Sequence, residues 1–115
     1  MAPVLAHEKL DVYRCAVQFL ALSARLLDGL PAGNSVLADQ LKRAALSIPL
    51  NIAEGTGKSS EPDRRRYYGI ARGSAMECGA LLDAVRVLDL GPVDRLDEGK
   101  ALLVRIVSML SKMCR

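Results

Sequence analysis

Residues 39–55, DQLKRAALSIPLNIAEG, form the stretch of the chain whose pattern says most about the fold. On a helical projection of about 100° per residue, its apolar side chains fall on one stripe. The members of this stripe are Leu41, Ala44, Ala45, Ile48 and Ile52. Pro49 removes one backbone hydrogen bond and frees the carbonyl of Ala45, so we expect a kink there. The stretch predicts an amphipathic helix that packs against other helices.

A row of polar residues runs beside this apolar stripe rather than opposite to it. Polar groups at the edge of a core usually hydrogen-bond to a neighbouring helix or subunit, because an unpaired charge there is costly. Glu77, at the edge of the next apolar face, is a plausible complement from another helix. We name this set the polar seam: Gln40, Arg43, Ser47, Asn51, Glu54 and Glu77. Its role is open between a structural contact and a functional one.

Breaks rich in glycine and proline divide the chain into four helical segments. Ser60 is a favourable N-cap for the third segment, and Pro62 suits its first turn. None of the segments shows the alternation that a strand requires. We therefore predict an all-α fold, an up-and-down antiparallel four-helix bundle in one domain over residues 1–115. The predicted helices span residues of about 8–28, 35–55, 61–89 and 92–113.

The composition agrees with a helical bundle and excludes several other classes. Half of the 115 residues are apolar but only 3% are aromatic, so Leu, Val, Ile and Ala must build the core. No apolar run approaches the roughly 20 residues of a membrane span, so we expect no membrane partner. The three cysteines form no close pair, which favours reduced thiols and a cytoplasmic location.

The first and last segments carry more apolar residues than one core stripe needs. In the first segment, Leu10, Val17, Leu20 and Leu27 cover one flank. The other flank consists of Val12, Cys15, Phe19, Leu22 and Leu26. The last segment is apolar through Leu96, Leu102, Leu103, Val104, Ile106, Val107, Met109, Leu110 and Met113. This excess favours self-association, the alternative being a monomer with unusually thorough burial.

In the third segment the projection assigns a core face and an opposite, exposed face. The predicted core face consists of Tyr67, Ile70, Ala71, Ser74, Cys78 and Leu81. The opposite face carries Arg65, Tyr68, Arg72 and Arg86. Gly69, Gly73 and Gly79 each cost about 1 kcal/mol in a helix relative to Ala, so we expect them to let another helix approach closely.

No residue pattern supports an enzyme, a cofactor or a resident metal. The only histidine, His7, precedes the first helix, so it cannot orient a nucleophile in the core. The cysteines lack metal-ligand spacing, and no glycine-rich phosphate loop occurs. Glu54 and Glu77 are a conceivable pair of ligands for Mg²⁺, but pairing with Arg43 or Arg72 is the more ordinary arrangement. We predict no catalytic residues.

Positive charge is concentrated around the second break. Residues 40–75 contain seven basic and three acidic side chains, whereas the remainder has nine basic and ten acidic ones. This cluster predicts binding of RNA or DNA phosphates, with Tyr68 adding base stacking. The predicted nucleic-acid-binding residues are Lys58, Arg64, Arg65, Arg66, Tyr68 and Arg72. The alternative is a protein-interaction scaffold that docks an acidic partner without touching nucleic acid.

Three blocks of sequence also carry a family resemblance. HEKLDVYRCA at 7–16, QLKRAALSIPLNIAEG at 40–55 and YYGIARGSAMECGALL at 67–82 together resemble the four-helix bundle proteins of 23S ribosomal RNA intervening sequences. That resemblance implies a ring-like homo-oligomer, a pentamer, without an assigned activity. The chain is also similar to the accessory protein of diversity-generating retroelements, which has a basic surface and partners a reverse transcriptase and nucleic acid. The association with ribosomal RNA genes favours RNA over DNA.

Overall fold

The computed structural model describes residues 3–115, and all regular structure in that range is helical. A short 3₁₀ helix, Ala6–Lys9, precedes the four α-helices. These are α1 (Asp11–Asp28), α2 (Ser35–Thr56), α3 (Glu61–Val87) and α4 (Val93–Met113). The all-α prediction with four helices is confirmed. The first helix begins later than predicted, since the 3₁₀ turn and Leu10 precede it.

The helices form a square in which each packs against its neighbours in sequence. The backbone of α1 lies close to those of α2 and α4, and that of α3 lies close to those of α2 and α4, whereas in the described range no Cα atoms of the diagonal pairs come within 8 Å. The connections of six, four and five residues are too short to run back along a helix, so successive helices are antiparallel. The bundle measures 44 × 34 × 22 Å.

One apolar core fills the space between the helices. Every predicted core residue of α2 is buried, and so is the flank of α1 that contains Phe19 and Leu22. Phe19 is fully enclosed, surrounded by aliphatic side chains in the way the composition predicts. α2 continues through Pro49, which is itself buried, as a single helix. The Ser60 hydroxyl accepts a hydrogen bond from the backbone N–H of Asp63, which confirms the predicted cap of α3.

The face that α3 turns to the core differs from the predicted one. Ala71, Cys78 and Leu81 are buried as predicted, but the full set of buried residues is Tyr68, Ala71, Ala75, Cys78, Leu81, Leu82 and Val85. The placement of Tyr68 on the exposed side was therefore wrong, because this side chain is only 8% exposed. Ile70, predicted in the core, is 43% exposed. Gly55 of α2 permits this rotation: a Cβ there would lie 2.9 Å from Cε1 of Tyr68, and the absence of a side chain leaves room for the ring.

The glycines of α3 do not bring helices of this chain together. A Cβ built on Gly69, Gly73 or Gly79 would have no neighbour within 4 Å among the described residues. The close approach predicted for them is thus not made inside the bundle. Gly99 of α4 does permit a close approach between helices, since a Cβ added there would lie 3.0 Å from Cδ1 of Leu82 in α3.

Most of the apolar excess of α1 and α4 is covered by the chain itself. Leu10, just before α1, and Leu20 and Leu27 within it pack partly buried against the core, leaving Val17 as the exposed member of that flank. In α4, Val104 is 63% exposed. Further exposed apolar side chains lie on α2 and α3, where none was predicted: Leu46, Leu50, Ile70, Met76 and Val87. None of the helices in residues 3–115 is apolar over a length that would cross a bilayer.

Candidate nucleic-acid interface and polar seam

The predicted basic residues cluster around the junction of α2 and α3. Arg64 is half-buried, and its Nη1 donates hydrogen bonds to the carbonyl oxygens of Lys58 at 3.1 Å and Ser59 at 3.0 Å. These carbonyls lie just beyond the C-terminal end of α2, where backbone acceptors lack helical partners. Arg64 therefore holds the turn between the two helices, and part of its hydrogen-bonding capacity is already used.

Two other members of the basic cluster are paired with carboxylates one helical turn away. Arg65 lies 3.0 Å from Glu61, and Lys58 lies 3.4 Å from Glu54. Both pairs are solvent-exposed to a large degree, so each contributes at most about 1 kcal/mol and is screened by salt. A phosphate can compete for either cation at modest cost.

Arg66 and Tyr67 form the most distinctive contact of the junction. Cζ of Arg66 lies 4.6 Å from the centroid of the Tyr67 ring, and Nζ of Lys58 lies 5.1 Å from it. Arg66 is exposed and has no carboxylate within 4 Å in the part of the chain described. The helical projection placed Tyr67 in the core, so this contact was missed. The regular spacing of residues 68, 71, 75 and 78 is the signal that could have placed it correctly.

Arg72 lies on a different side of α3. Its Nε donates to Oγ of Ser111 at 2.8 Å, which directs the side chain toward α4. Tyr67 lies on the side of α3 that faces α2, since a Cβ added at Gly55 would lie 3.1 Å from the Cβ of Tyr67. The predicted set is therefore divided: Lys58 and Arg66 surround Tyr67, while Arg72 reaches toward α4. Tyr68 is buried, and its hydroxyl lies 3.0 Å from Oγ1 of Thr56, so it is not available for stacking.

The polar seam lies along the border between α2 and α3. Oγ of Ser47 is 2.8 Å from Oγ of Ser74, and Nδ2 of Asn51 donates to Oγ and the carbonyl oxygen of Ser47, each at 2.9 Å. Further along the border Arg43 lies 3.8 Å from Glu77. Within this chain the seam thus joins two helices as a structural contact.

The remaining members of the seam point to solvent. Gln40 is exposed, and so is Glu54, which pairs with Lys58 rather than with another helix. Glu54 and Glu77 each have a cationic neighbour. Among residues 3–115 no group of three or more His, Cys, Asp or Glu side chains is arranged to hold a metal ion.

The buried thiol of Cys78 is unsuited to nucleophilic chemistry. Burial, and secondarily the neighbouring Glu77 carboxylate, raise the pKa of this thiol from 9.0 to about 12. The thiol is therefore protonated at neutral pH, and a protonated thiol is a poor nucleophile and metal ligand. Cys78 acts as a small apolar core residue.

A shallow apolar groove of about 540 Å³ runs between α3 and α4. Met76 and Val104, both more than half exposed, line it, together with Gly79 and Val107. The Asp83–Lys100 ion pair, 2.6 Å long, lies in the same groove. The small side chains of α3 keep the groove open.

Comparison with known proteins agrees with the fold. A family model described as 23S rRNA-intervening sequence protein matches residues 8–112. The crystal structure of a protein of unknown function from the S23 ribosomal protein family of Bacteroides thetaiotaomicron superposes with a TM-score of 0.83. It is 20% identical, and the alignment covers 90% of this chain and 98% of that one. No curated protein matches the chain significantly.

Proposed function

Since the chain belongs to the 23S rRNA-intervening sequence protein family, whose fold it shares, we propose that it is a non-enzymatic, self-associating bundle that binds RNA or DNA. In this proposal the phosphates lie on the basic surface at the α2–α3 junction, formed by Lys58, Arg64, Arg65 and Arg66, and continue along α3 to Arg72 on its α4 side. Tyr68 has no part in it, because the core encloses its ring.

The observation that supports phosphate binding is the set of arginines without an acidic partner. Arg64 is bound to backbone carbonyls, Arg72 to a serine hydroxyl, and Arg66 to an aromatic ring. None of the three has a carboxylate within 4 Å in residues 3–115. Their charge is therefore uncompensated locally, which is the condition for releasing counterions from a nucleic acid.

Self-association is supported by apolar surface that the single bundle leaves uncovered. Leu46 and Leu50 lie one turn apart on α2, and Ile70 of α3 is exposed as well. Gly69 and Gly73 add a stretch of α3 to which a foreign helix could come close. We expect a ring-like homo-oligomer, and the family resemblance implies five subunits. A ring would repeat the basic surface once per subunit and raise its affinity for a long polyanion.

A second candidate function is a scaffold that docks an acidic protein partner and does not touch nucleic acid. The apolar groove between α3 and α4, with the exposed side chains of Met76 and Val104, favours it. Protein interfaces combine an apolar centre with a polar, solvent-accessible rim. Arg72, about one helical turn before the groove on α3, could supply part of that rim.

The deciding experiment is nucleic-acid binding measured by fluorescence anisotropy over a range of salt concentrations. We compare the wild type with a double variant, Arg66→Gln and Arg72→Gln, leaving Arg64 in place because it holds the turn. The matched control is Arg25→Gln with Arg105→Gln, which removes the same charge from exposed positions on α1 and α4.

The proposal predicts affinity that falls steeply with salt. The Arg66/Arg72 variant should bind more weakly and reduce the slope of log K against log [salt] by about 1 for each phosphate that is no longer neutralised. The control should change little. An equal weakening in both variants would mean that only net charge matters. No binding by the wild type, even at low salt, would favour the protein scaffold.

A further inference from the structure

We infer that Arg66 and Tyr67 form a stacking platform that makes the junction prefer single-stranded RNA or DNA over a duplex. This inference rests on the proposed function and specifies which form of nucleic acid the site takes. It starts from the one aromatic ring at the junction that the core does not enclose.

The Tyr67 side chain is half-buried, with Gly55 of α2 at its base and the cations of Arg66 and Lys58 against its ring. Its Cβ packs against Gly55 of α2, where an added Cβ would lie only 3.1 Å away. Its hydroxyl makes no hydrogen bond within the described part of the chain, unlike that of Tyr68, which lies beside Thr56. Because Gly55 lies close to the base of the side chain and two cations lie against the ring, the ring has less freedom to turn before a ligand binds, which lowers the entropic cost of stacking.

The two cations around the ring complete a site for one nucleotide. The guanidinium of Arg66 lies over Tyr67 with its centre 4.6 Å from the ring centroid. Guanidinium planes and aromatic rings are the two surfaces on which unpaired bases stack. Nζ of Lys58 lies 5.1 Å from the same centroid, so in this inference it binds the phosphate of the nucleotide whose base stacks there. Its partner Glu54 is exposed, so the ammonium group can exchange that carboxylate for a phosphate.

A duplex cannot use this platform. Its bases are already stacked and paired, so exposing one costs a few kcal/mol, about as much as a single stacking contact returns. A duplex would therefore bind only through its phosphates. A single strand gains both the phosphate contacts and the stacking on Arg66 and Tyr67.

The test compares a labelled 15-nucleotide oligo(U) or oligo(dT) with a 15-base-pair duplex at one low salt concentration. Three variants are measured against the wild type. Tyr67→Leu removes the ring but keeps Cβ, and Tyr67→Phe keeps the ring and removes the hydroxyl. Tyr13→Leu is the control, because Tyr13 of α1 is the other half-buried tyrosine. Its ring makes an edge-to-face contact with that of His7, away from the junction. Circular dichroism establishes that each variant is folded.

We expect Tyr67→Leu to weaken single-strand binding by about tenfold, the usual effect of losing one stacked base. Duplex binding should change by less than twofold, and Tyr67→Phe and Tyr13→Leu should bind like the wild type. If Tyr67→Leu leaves single-strand affinity unchanged, or weakens both forms equally, the stacking platform is refuted while phosphate binding stands. If the wild type binds neither form, the proposed function fails as well.

Discussion

Oη of Tyr68 lies 3.0 Å from Oγ1 of Thr56, and this contact joins the last turn of α2 to the second turn of α3. Gly55 makes it possible, because only a residue without a side chain leaves room for the ring. Burial of Tyr68 in turn fixes the rotation of α3 about its axis. Since neighbouring helical positions are about 100° apart, that rotation is what leaves Tyr67 at the surface beside Arg66. The candidate site thus depends on one glycine in the preceding helix.

We expect Gly55→Ala to destabilise the bundle although alanine is the better helix former. Its Cβ would lie 2.9 Å from Cε1 and 3.0 Å from Cδ1 of Tyr68, a ring that the core holds in place. Overpacking of this kind costs about 1–3 kcal/mol, against a gain in helix propensity of about 1 kcal/mol. Chemical denaturation should show a lower free energy of unfolding.

The matched control for that substitution is Gly57→Ala, two residues along the chain. A Cβ there meets only the carbonyl oxygens of Ala53 and Glu54, each at an ordinary 3.6 Å. The control should be as stable as the wild type or slightly more so. Equal stability of the Gly55 and Gly57 variants would mean that the Tyr68 ring can move aside, and the rotation of α3 would need another cause.

Much of the fold is readable from the sequence, because the core stripes of α1 and α2 consist of large aliphatic residues at helical spacing. α3 is harder to place. Tyr67 and Tyr68 are adjacent and chemically alike, and its other core positions are Ala71, Ala75 and Cys78, whose small side chains give a weak apolar signal. The choice between the two tyrosines depends on Gly55, which is close in space but not in the helical pattern.

The same difficulty applies to the basic cluster. The distribution of charge along the sequence locates the cluster. Which of its arginines make structural contacts and which are available to a ligand depends on tertiary contacts. Arg64, Arg65 and Arg66 are consecutive and would be treated alike in a sequence. In the fold they bind backbone carbonyls, a carboxylate and an aromatic ring, respectively.

We predict that substituting Arg64 lowers mainly the stability of the bundle, whereas substituting Arg66 weakens mainly the binding of oligonucleotides. Arg64→Ala leaves two carbonyl acceptors of the α2–α3 turn without their donor, and should lower the free energy of unfolding by about 1–2 kcal/mol. Arg66→Ala removes an exposed cation–π contact worth about 0.5–1 kcal/mol or less. Arg66→Ala should nevertheless weaken oligonucleotide binding more. Chemical denaturation and fluorescence anisotropy on the same two variants would test this. The prediction is contradicted if the variant that loses more stability also loses more affinity.

Asp89 is expected to be a destabilising residue at the end of α3. It adopts a left-handed conformation with φ of 57°, and the N–H groups of Asp89 and Leu90 bond to the carbonyls of Arg86 and Val85. This is a Schellman motif, whose left-handed position favours glycine. The carboxylate also lies at the negative end of the helix dipole. Asp89→Gly should raise the free energy of unfolding by about 1 kcal/mol.

Asp89→Asn separates the two effects at this position, since it removes the charge and keeps a side chain that tolerates the left-handed region. We expect thermal stability to increase in the order wild type, Asp89→Asn, Asp89→Gly, over a span of several °C. A glycine variant less stable than the wild type would show that the aspartate makes a contribution beyond the backbone.

Cys78 should make the bundle lose stability at alkaline pH. Its pKa is raised to about 12 in the folded protein by burial, followed by the effect of Glu77. The unfolded chain releases this proton more readily. The contribution of the Cys78 thiol to the free energy of unfolding is therefore fully present below the unfolded pKa near 9 and is lost as the pH rises toward 12. The decrease is at most about 1.4 kcal/mol per pH unit. Cys78→Ala lacks this titration, so the stability advantage of the wild type should shrink between pH 8 and about pH 10.5. Parallel pH profiles for the two proteins would contradict the assignment.

Gly73 offers a way to test self-association without disturbing the subunit. Gly73 is exposed, and a Cβ added there meets nothing within 4 Å beyond its own helix in the described part of the chain, so we expect the bundle itself to accept Gly73→Leu. If a second subunit packs against this face of α3, the leucine will hold it away, because close helix packing depends on small residues. Light scattering should then report a smaller particle than the wild type forms, with an unchanged circular dichroism spectrum. Ala101→Leu, at an exposed position of α4, is the control and should keep the wild-type mass. An unchanged mass for Gly73→Leu would exclude this face from the interface, and a monomeric wild type would remove the proposed ring.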